Sequence, residues 1–326
     1  MQTNKILITG GAGFIGSHLT ELLLKSNHTI TAIDNLSTGS IENIKQFDGN
    51  ANFSFVRADI SDELVLDRLS SESDIIIHLA AAVGVQLIVE RPVHTIETNV
   101  AGTEKVLRSA LKYGCKVLIA STSEVYGKGF KIPFSEDDDV LLGATNKSRW
   151  GYAASKMLDE FLGLAYCREY DLDVVCFRLF NTVGPRQSGQ YGMVVPRFVK
   201  SALQGKPIEV YGNGNQQRCF GHVADVVRAI EGLAFEPKAK GQVFNIGSIE
   251  EISILELAEK IKHLTASSSE IIKIPYEQAY APGFEDMERR IPNTTKINGL
   301  LGWSAEKSME DILADVIHFE AKKNFK

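Results

Sequence analysis

Tyr152 and Lys156 stand four residues apart in Tyr-Ala-Ala-Ser-Lys, and an amphipathic stretch continues through Met157-Leu-Asp-Glu-Phe-Leu162. On a helix that spacing brings both side chains to one face. A phenol releases its proton near pH 10, so use as a base near neutrality needs a shift of about 3 units, or ~4 kcal/mol. A neighbouring ammonium acts in that direction because it favours the phenolate. The pair suits the movement of a proton to and from a hydroxyl. Upstream, Ser121-Thr-Ser-Glu-Val-Tyr-Gly127 gathers three hydroxyls and the carboxylate of Glu124 just beyond the apolar run 117–120.

These groups need something to hold the reacting partners, and the N-terminal stretch Ile6-Leu-Ile-Thr-Gly-Gly-Ala-Gly-Phe-Ile-Gly16 supplies it. An apolar run too short for a helix ends at Thr9, glycines fall at 10, 13 and 16, and an amphipathic stretch, 17–25, follows. The order is strand, tight turn, helix. Gly10 lets the chain leave the strand, Gly13 lets backbone N–H groups approach a pyrophosphate, and Gly16 lets the helix pack against the sheet. The first helical turn then offers unpaired N–H groups and the positive end of its dipole to phosphate oxygens. A second apolar run, 29–33, ends in Asp34, a carboxylate placed for ribose hydroxyls. Asn35, Leu36 and Ser37 follow with no arginine among them. A 2′-phosphate is repelled there, so NAD is favoured over NADP.

Helical and strand patterns alternate through the first half of the chain. Strands are predicted at 53–59, 75–80, 117–120 and 173–179, with helices at 98–113 and from Tyr152 onward. The run Ile75-Ile-Ile-His-Leu-Ala80 is nearly unbroken, as in a central parallel strand. This alternation predicts an α/β fold, a doubly wound parallel sheet, with ligands beyond the carboxyl ends of its strands. Past Phe180 the rhythm breaks into a helix at 194–203, a strand at 208–211, a hairpin or loop at 212–217 and a helix at 224–235. A strand at 243–246 then returns to the sheet. Ser253-Ile-Leu-Glu256 is a capping-box signature for a helix to Leu264, and a last helix is expected at 309–319. The predicted organisation is a dinucleotide-binding Rossmann domain, 1–179 with 220–248 returning to it, and a smaller substrate-binding α/β region within 180–326. The acidic run 136–139 reads as a solvated loop.

The net charge of −6 offers no basic footprint for nucleic acid. No stretch approaches the length of a membrane span, and the N-terminal apolar run belongs to the first strand rather than to a cleavable leader. Four cysteines, at 115, 167, 176 and 219, have no close metal-type spacing, so reduced thiols in a cytoplasm and no metal site are expected.

Taken together, Thr9 to Gly16, Asp34-Asn-Leu-Ser-Thr-Gly39, His78-Leu-Ala-Ala81, Asn99-Val-Ala-Gly-Thr103, Ser121 to Gly127, Tyr152 to Lys156, Arg178-Leu-Phe-Asn181 with Gly184-Pro-Arg186, and His222-Val-Ala-Asp225 resemble the extended short-chain dehydrogenase/reductases that modify nucleotide sugars, the NAD-dependent epimerase/dehydratase group. The resemblance implies a hydride cycle. Tyr152 takes the proton of the sugar C4 hydroxyl while NAD takes the C4 hydride, Lys156 holds the nicotinamide ribose and keeps Tyr152 acidic, and Thr122 bonds the C4 oxygen. It also implies cofactor contacts at Gly10, Gly13, Phe14, Ile15, Gly16, Asp34, Asn35, Ser37, Gly39, Asp59, Ile60, Leu79, Ala80, Ala81 and Asn99. Asn181, Tyr211, Arg218 and Arg290 fall around a UDP-linked sugar, both arginines as candidates for its diphosphate. His222 and Asp225 are structural.

Ser123 and Glu124 bear on the choice of reaction. The UDP-glucuronate decarboxylases share Ser-Thr-Ser-Glu-Val-Tyr-Gly, Phe-Asn-Thr-x-Gly-Pro-Arg and an Arg-x-Pro segment, matched here by 290–292. Tyr152-Ala-Ala-Ser is more similar to the UDP-sugar 4-epimerases, and Thr-Ser-Glu to GDP-mannose dehydratases. Decarboxylation of UDP-glucuronate therefore ranks first, 4-epimerisation second and 4,6-dehydration third. Non-enzymatic relatives are expected to lack the Tyr and Lys pair that this chain carries. The resemblance further implies a homodimer through 98–113 and the Tyr152 helix.

Overall fold

The glycine turn, Asp34 and the Ser121–Gly127 segment all follow apolar strands, and one sheet puts those strand ends on a common edge. In the computed structural model, which describes residues 3–84, 88, 90–189, 193–279, 287 and 289–324, strands β1 (Lys5–Thr9), β2 (Thr29–Asp34), β3 (Phe53–Arg57), β4 (Ile75–His78), β5 (Lys116–Thr122) and β6 (Val174–Leu179) are joined by β11 (Gln242–Ile246). They form a seven-stranded sheet in the order β11-β6-β5-β4-β1-β2-β3, and every pairing in it is parallel. The order reverses between β1 and β4, which opens a crevice at their carboxyl ends.

Both faces of the sheet are covered, which is why its strands read as unbroken apolar runs. Ile6, Ile8, Ile30, Ile75 and Ile77 pack against Leu19 and Leu23 of α1 (Phe14–Lys25) and Val226 and Ile230 of α6 (Val223–Phe235). Leu7, Ile33, Ile76, Val117 and Ile119 face the opposite layer, where Leu66 and Leu69 of α2 (Glu63–Ser71) and Val106 and Leu107 of α3 (Pro92–Tyr113) close over them. Helix α4 (Arg149–Tyr170) packs beside α3 and over β5 and β6.

A second core lies downstream. Val195, Phe198 and Val199 of α5 (Val194–Leu203), Ile208 and Val210 of β8 (Ile208–Tyr211), Leu257 and Ile261 of α7 (Ile254–Leu264), and Ile312 and Leu313 of α9 (Met309–Asn324) meet there. Between the cores, β9 (Gln217–Cys219) is flanked by β12 (Glu251–Ser253) and β14 (Arg289–Arg290). The parallel register of β9 and β14 sets Arg218 beside Arg290.

Several element boundaries differ from the sequence reading, each for a local reason. Helix α3 begins at Pro92 rather than 98, because proline at the first helical position loses no needed N–H, and it stops at Gly114, whose φ of 72° makes the left-handed cap. Helix α4 begins three residues before Tyr152. Helix α2 was not anticipated; Asp62 starts it by accepting from Val65 N at 3.2 Å. Strands β3 and β4 end earlier than predicted, while β5 runs from Lys116 to Thr122. The stretch 212–217, expected as a hairpin or loop, passes into strand at Gln217. The Ser253–Glu256 capping box is present in both directions. The acidic run 136–139 is not simply solvated: Glu136 accepts from Asn245 N at 2.8 Å, and Asp138 accepts from Ser135 N at 2.7 Å.

Candidate active site

The turn after β1 has the shape a dinucleotide requires. Gly10 has a φ of 69°, and a side chain there would begin 2.9 Å from Ala80 N. A Cβ on Gly16 would run into the carbonyl of Gly10, so the close approach of turn and helix depends on glycine. Gly13 is the N-cap of α1 with extended backbone, leaving the amides of Phe14, Ile15 and Gly16 in the open first turn. Asp34 braces this turn, accepting from Ala12 N at 3.1 Å and Leu36 N at 2.8 Å. Its burial raises the carboxyl pKa against these bonds.

The remaining residues expected at the cofactor line or brace the same crevice. Asn35 donates to Asp59 at 2.6 Å, and Ser37 N donates to Asn35 at 2.9 Å. Gly39 approaches the Asp34 carboxylate so closely that a Cβ would lie 2.8 Å from Oδ2. Ile60 is buried against Gly102. Leu79 N and Ala80 N donate to Thr9 O and Thr9 Oγ1, both at 3.1 Å, which fixes the segment leading to Ala81. Asn99 accepts from Ala82 N at 2.9 Å and donates to Ser155 Oγ at 3.1 Å, tying α3 to the helix that carries Tyr152. This set fits a bound NAD.

Tyr152 lies in the opening turn of α4, buried, with its hydroxyl hydrogen-bonded to Thr122 at the end of β5. Thr122 also caps the short turn Ser123–Tyr126 by accepting from Glu124 N at 3.2 Å. The phenol is held well above its usual range, first by burial and next by the charge of Glu124; the Thr122 hydrogen bond opposes this, Asp159 adds to it, and Arg290 opposes it. Lys156 is buried one turn on, donating to Asp159 Oδ2 at 2.6 Å. The sequence reading assigned Lys156 to the cofactor ribose, and Asp159 is a partner that reading did not include.

Glu124 is clamped between two guanidiniums. Arg149 Nη2 lies 3.2 Å from Oε1 and 3.0 Å from Oε2, and Arg290 Nη1 lies 2.5 Å from Oε1. Burial alone raises this carboxyl; the charges of Arg290 and Arg149, with their hydrogen bonds, overcome it and pull the pKa down to about 2. Glu124 is therefore an anion at any working pH and a poor proton acceptor. Arg290, expected at a diphosphate, lines the same cavity as Tyr152 and donates to Glu124. Ser123 is buried in the same wall.

A cavity of about 390 Å³ runs from Phe14, Thr122 and Tyr152 to Tyr211 and Arg218. Asn181 stands at its edge and donates to Cys219 O at 2.9 Å, linking the end of β6 to the strand that carries Arg218. Arg197 lies over the Tyr211 ring, 4.1 Å from its centroid. Among the described residues, Thr182 Oγ1, Gln187 Oε1, Arg197 Nε and Gln216 Oε1 are buried in this lining with no hydrogen-bond partner. Such groups gain by meeting polar atoms of a ligand. His222 and Asp225 are structural here: His222 caps α6 by accepting from Ala224 N at 3.1 Å, and Asp225 accepts from Glu306 N and Lys307 N at 3.0 Å each.

Arg149, Arg197, Thr182, Gln187, Gln216 and Asp159 were not singled out from sequence. Arg149 and Asp159 carried a readable signal, since they fall three residues before and seven after Tyr152 on its helix, in line with Lys156.

The family model for GDP-mannose 4,6-dehydratase matches residues 7–316. A UDP-N-acetyl-α-D-glucosaminuronate decarboxylase of Bacillus cytotoxicus is 45% identical over 316 residues, covering 97% of each chain. A UDP-glucuronic acid decarboxylase of Danio rerio is 37% identical over 98% of this chain and 73% of its own length. The crystal structure of a UDP-glucuronic acid 4-epimerase from Bacillus cereus, in complex with UDP-glucuronic acid and NAD, superimposes with a TM-score of 0.88 at 29% identity, over 98% of this chain and 99% of that one.

Proposed function

The chain belongs to the GDP-mannose 4,6-dehydratase family, and on that premise we propose that it is an NAD-dependent decarboxylase of a UDP-linked uronate, with UDP-glucuronate as the first substrate. The observation that carries this reading is the Arg149–Glu124–Arg290 clamp beside Tyr152 and Thr122. A 4,6-dehydratase asks a carboxylate here to remove the C5 proton, and a carboxyl held at about 2 is ill suited to that task. A simple 4-epimerase needs no such charge at C5. Two guanidiniums at this end of the pocket suit a sugar that carries its own carboxylate.

Tyr152, as phenolate, takes the proton of the C4 hydroxyl, and Thr122 holds the same oxygen. Bound NAD supplies an acceptor for the C4 hydride that later gives the hydride back, so no external reductant is consumed. The glycine turn, Asp34 and Lys156 hold that cofactor. Oxidation at C4 makes the sugar a β-keto acid: the C5–C6 bond breaks, CO₂ leaves, and the electron pair passes to the C4 oxygen. Tyr152 and Thr122 stabilise the charge on that oxygen. C5 then gains a proton from solvent water, one proton being taken up for each CO₂ released, and Tyr152 returns its own proton to the C4 oxygen as the ketone is reduced. Arg218, Tyr211, Arg197 and Gln216 line the end of the pocket that takes the UDP moiety.

The same reading includes a homodimer through α3 and α4, supported by exposed Val93, Ile96, Leu158 and Phe161 on these two packed helices. It places the chain in a reducing cytoplasm, supported by four free cysteines. No helix among the described residues is long and apolar enough to cross a membrane. It divides the chain into a dinucleotide unit, 1–179 with 220–248, and a substrate unit in the rest, supported by the two separate cores.

The test is a panel of UDP-glucuronate, its 2-acetamido analogue and UDP-glucose, with products resolved by mass and chromatography. Either uronate losing CO₂ to give a UDP-pentose supports the reading. Conversion to UDP-galacturonate or UDP-galactose alone replaces it with 4-epimerisation, and a 4-keto-6-deoxy product replaces it with dehydration.

A further inference from the structure

Glu124 and Arg290 meet across 166 residues of chain, so the pair depends on whatever holds their two segments together. Glu124 sits in the turn Ser123–Tyr126 after β5, and Arg290 ends β14. On one side Arg290 is set by the pairing of β14 with β9. On the other the chain runs on through Ile291, Pro292 and Asn293 beside Phe134: Phe134 N donates to Ile291 O and Asn293 N donates to Phe134 O, both at 2.8 Å. Asn293 Nδ2 adds a bond to Ser135 Oγ at 3.0 Å.

A single side chain ties this segment to the Glu124 turn. Asn245, fully buried on β11, accepts from the Tyr126 hydroxyl at 2.7 Å and donates to Phe134 O at 2.9 Å and to Asn293 O at 3.2 Å. A carboxamide has two N–H donors and one carbonyl, and here both donors and the carbonyl are in use. Strand β11 is the last of the sheet, so Asn245 N has no further strand to meet and donates to Glu136 at 2.8 Å instead. The Tyr126 ring is stacked on Phe134, 4.6 Å between centroids, and the Arg178 guanidinium lies 4.6 Å from it, which fixes where the hydroxyl points. Asn245 itself does not line the cavity. Its bonds end two residues beyond Glu124 and three beyond Arg290.

We propose that Asn245 is a positioning residue of the active site: its buried amide holds the turn that carries Glu124 and the segment that follows Arg290 at one separation, and so sets the carboxylate–guanidinium pair that faces a bound uronate. A hydrogen bond weakens steeply once its atoms part by about 1 Å, and these two atoms belong to segments that no strand pairing joins directly. Without the amide, the Tyr126 turn and the 291–293 segment keep their ring and backbone contacts with Phe134 but lose the polar bridge that fixes their distance. Arg290 then spends its charge over a wider range of positions, and the end of the pocket that meets the sugar carboxylate loses its shape. The nucleotide end, built on Tyr211, Arg197 and Gln216, does not depend on this bridge.

What the pair does to a uronate rests on the function proposed above; whether Asn245 sets the pair does not, and the first measurement uses no sugar. Urea unfolding at pH 7 is compared for the wild type, Glu124→Gln, Asn245→Ala and the double variant, since independent sites add. The loss of stability caused by Glu124→Gln should fall to about half or less in the Asn245→Ala background. The loss caused by Ile312→Val, buried in the second core, should be the same in both backgrounds. Additive losses for Glu124→Gln, or an equal shrinkage for Ile312→Val, would overturn the proposal. Should Asn245→Ala not fold, Tyr126→Phe, which removes the bond at the Glu124 side, takes its place in the cycle, and additivity again overturns it. The second measurement is turnover of UDP-glucuronate by the NAD-loaded enzyme. Asn245→Ala should raise KM by about tenfold or more and leave the inhibition constant of UDP within about twofold of the wild type. An unchanged KM, or an equal rise in both constants, would overturn the proposal. A wild type that leaves uronates untouched defeats the proposed function instead, and the urea cycle still decides the role of Asn245.

Discussion

Glu124→Gln keeps the shape of the side chain and removes its charge from between two guanidiniums. In the wild type three contacts of 3.2, 3.0 and 2.5 Å join the carboxylate to Arg149 and Arg290. They hold the carboxyl at about 2 against an ordinary 4.5. That difference of about 2.5 units corresponds to ~3 kcal/mol of preference for the ionised form in the folded state. A carboxyl whose folded pKa lies below its unfolded one contributes its stability in full above the unfolded value and loses it as pH falls through the folded value. The variant should therefore be less stable than the wild type by ~3 kcal/mol at pH 7. The gap should narrow below pH 4.5 and close as pH approaches about 2. Urea unfolding followed by circular dichroism at pH 7 and at steps down toward pH 3 reads it. A gap that does not change with pH, or one below about 1 kcal/mol at pH 7, would refute a charge clamp of this strength.

Other perturbations follow from the same contacts. Asp34→Ala removes the carboxylate at the ribose position together with its bonds to Ala12 N and Leu36 N; titration calorimetry should show weaker NAD binding by about tenfold and a smaller preference over NADP. Arg178→Met strips Glu160 of its bidentate partner in a buried setting and should cost about 3–5 kcal/mol in denaturant unfolding, most of it recovered in Arg178→Met/Glu160→Leu. Tyr152→Phe should abolish turnover of every sugar tested while NAD binding stays unchanged; retained turnover would remove Tyr152 from the proposed chemistry.

Local features of the chain were legible because each is encoded over a few residues. Gly10, Gly13 and Gly16 announce the turn, since only glycine satisfies its positive φ and its close approaches. The apolar runs announce the parallel strands, and Ser253 with Glu256 announces its helix. What was not legible depends on pairing across the fold. Arg149 looks in sequence like any surface arginine at a helix start, and only the return of β14 beside β9 brings Arg290 to the other side of Glu124. Asp159 reads as a solvated helical acid until α3 covers it with Thr103. Helix α2 escaped notice because its apolar positions are interrupted by charges, and the start of α3 because Pro92 reads as a break rather than a first turn.

The central claim is an oxidation at C4 that is reversed within the same site after CO₂ has left. UDP-glucuronate carrying deuterium at C4 tests it in one mass spectrum. The account predicts a UDP-pentose that is lighter by CO₂ and still carries the deuterium, because the hydride removed at C4 is the one returned. A product of unchanged mass, or a pentose that has lost the label, would contradict it.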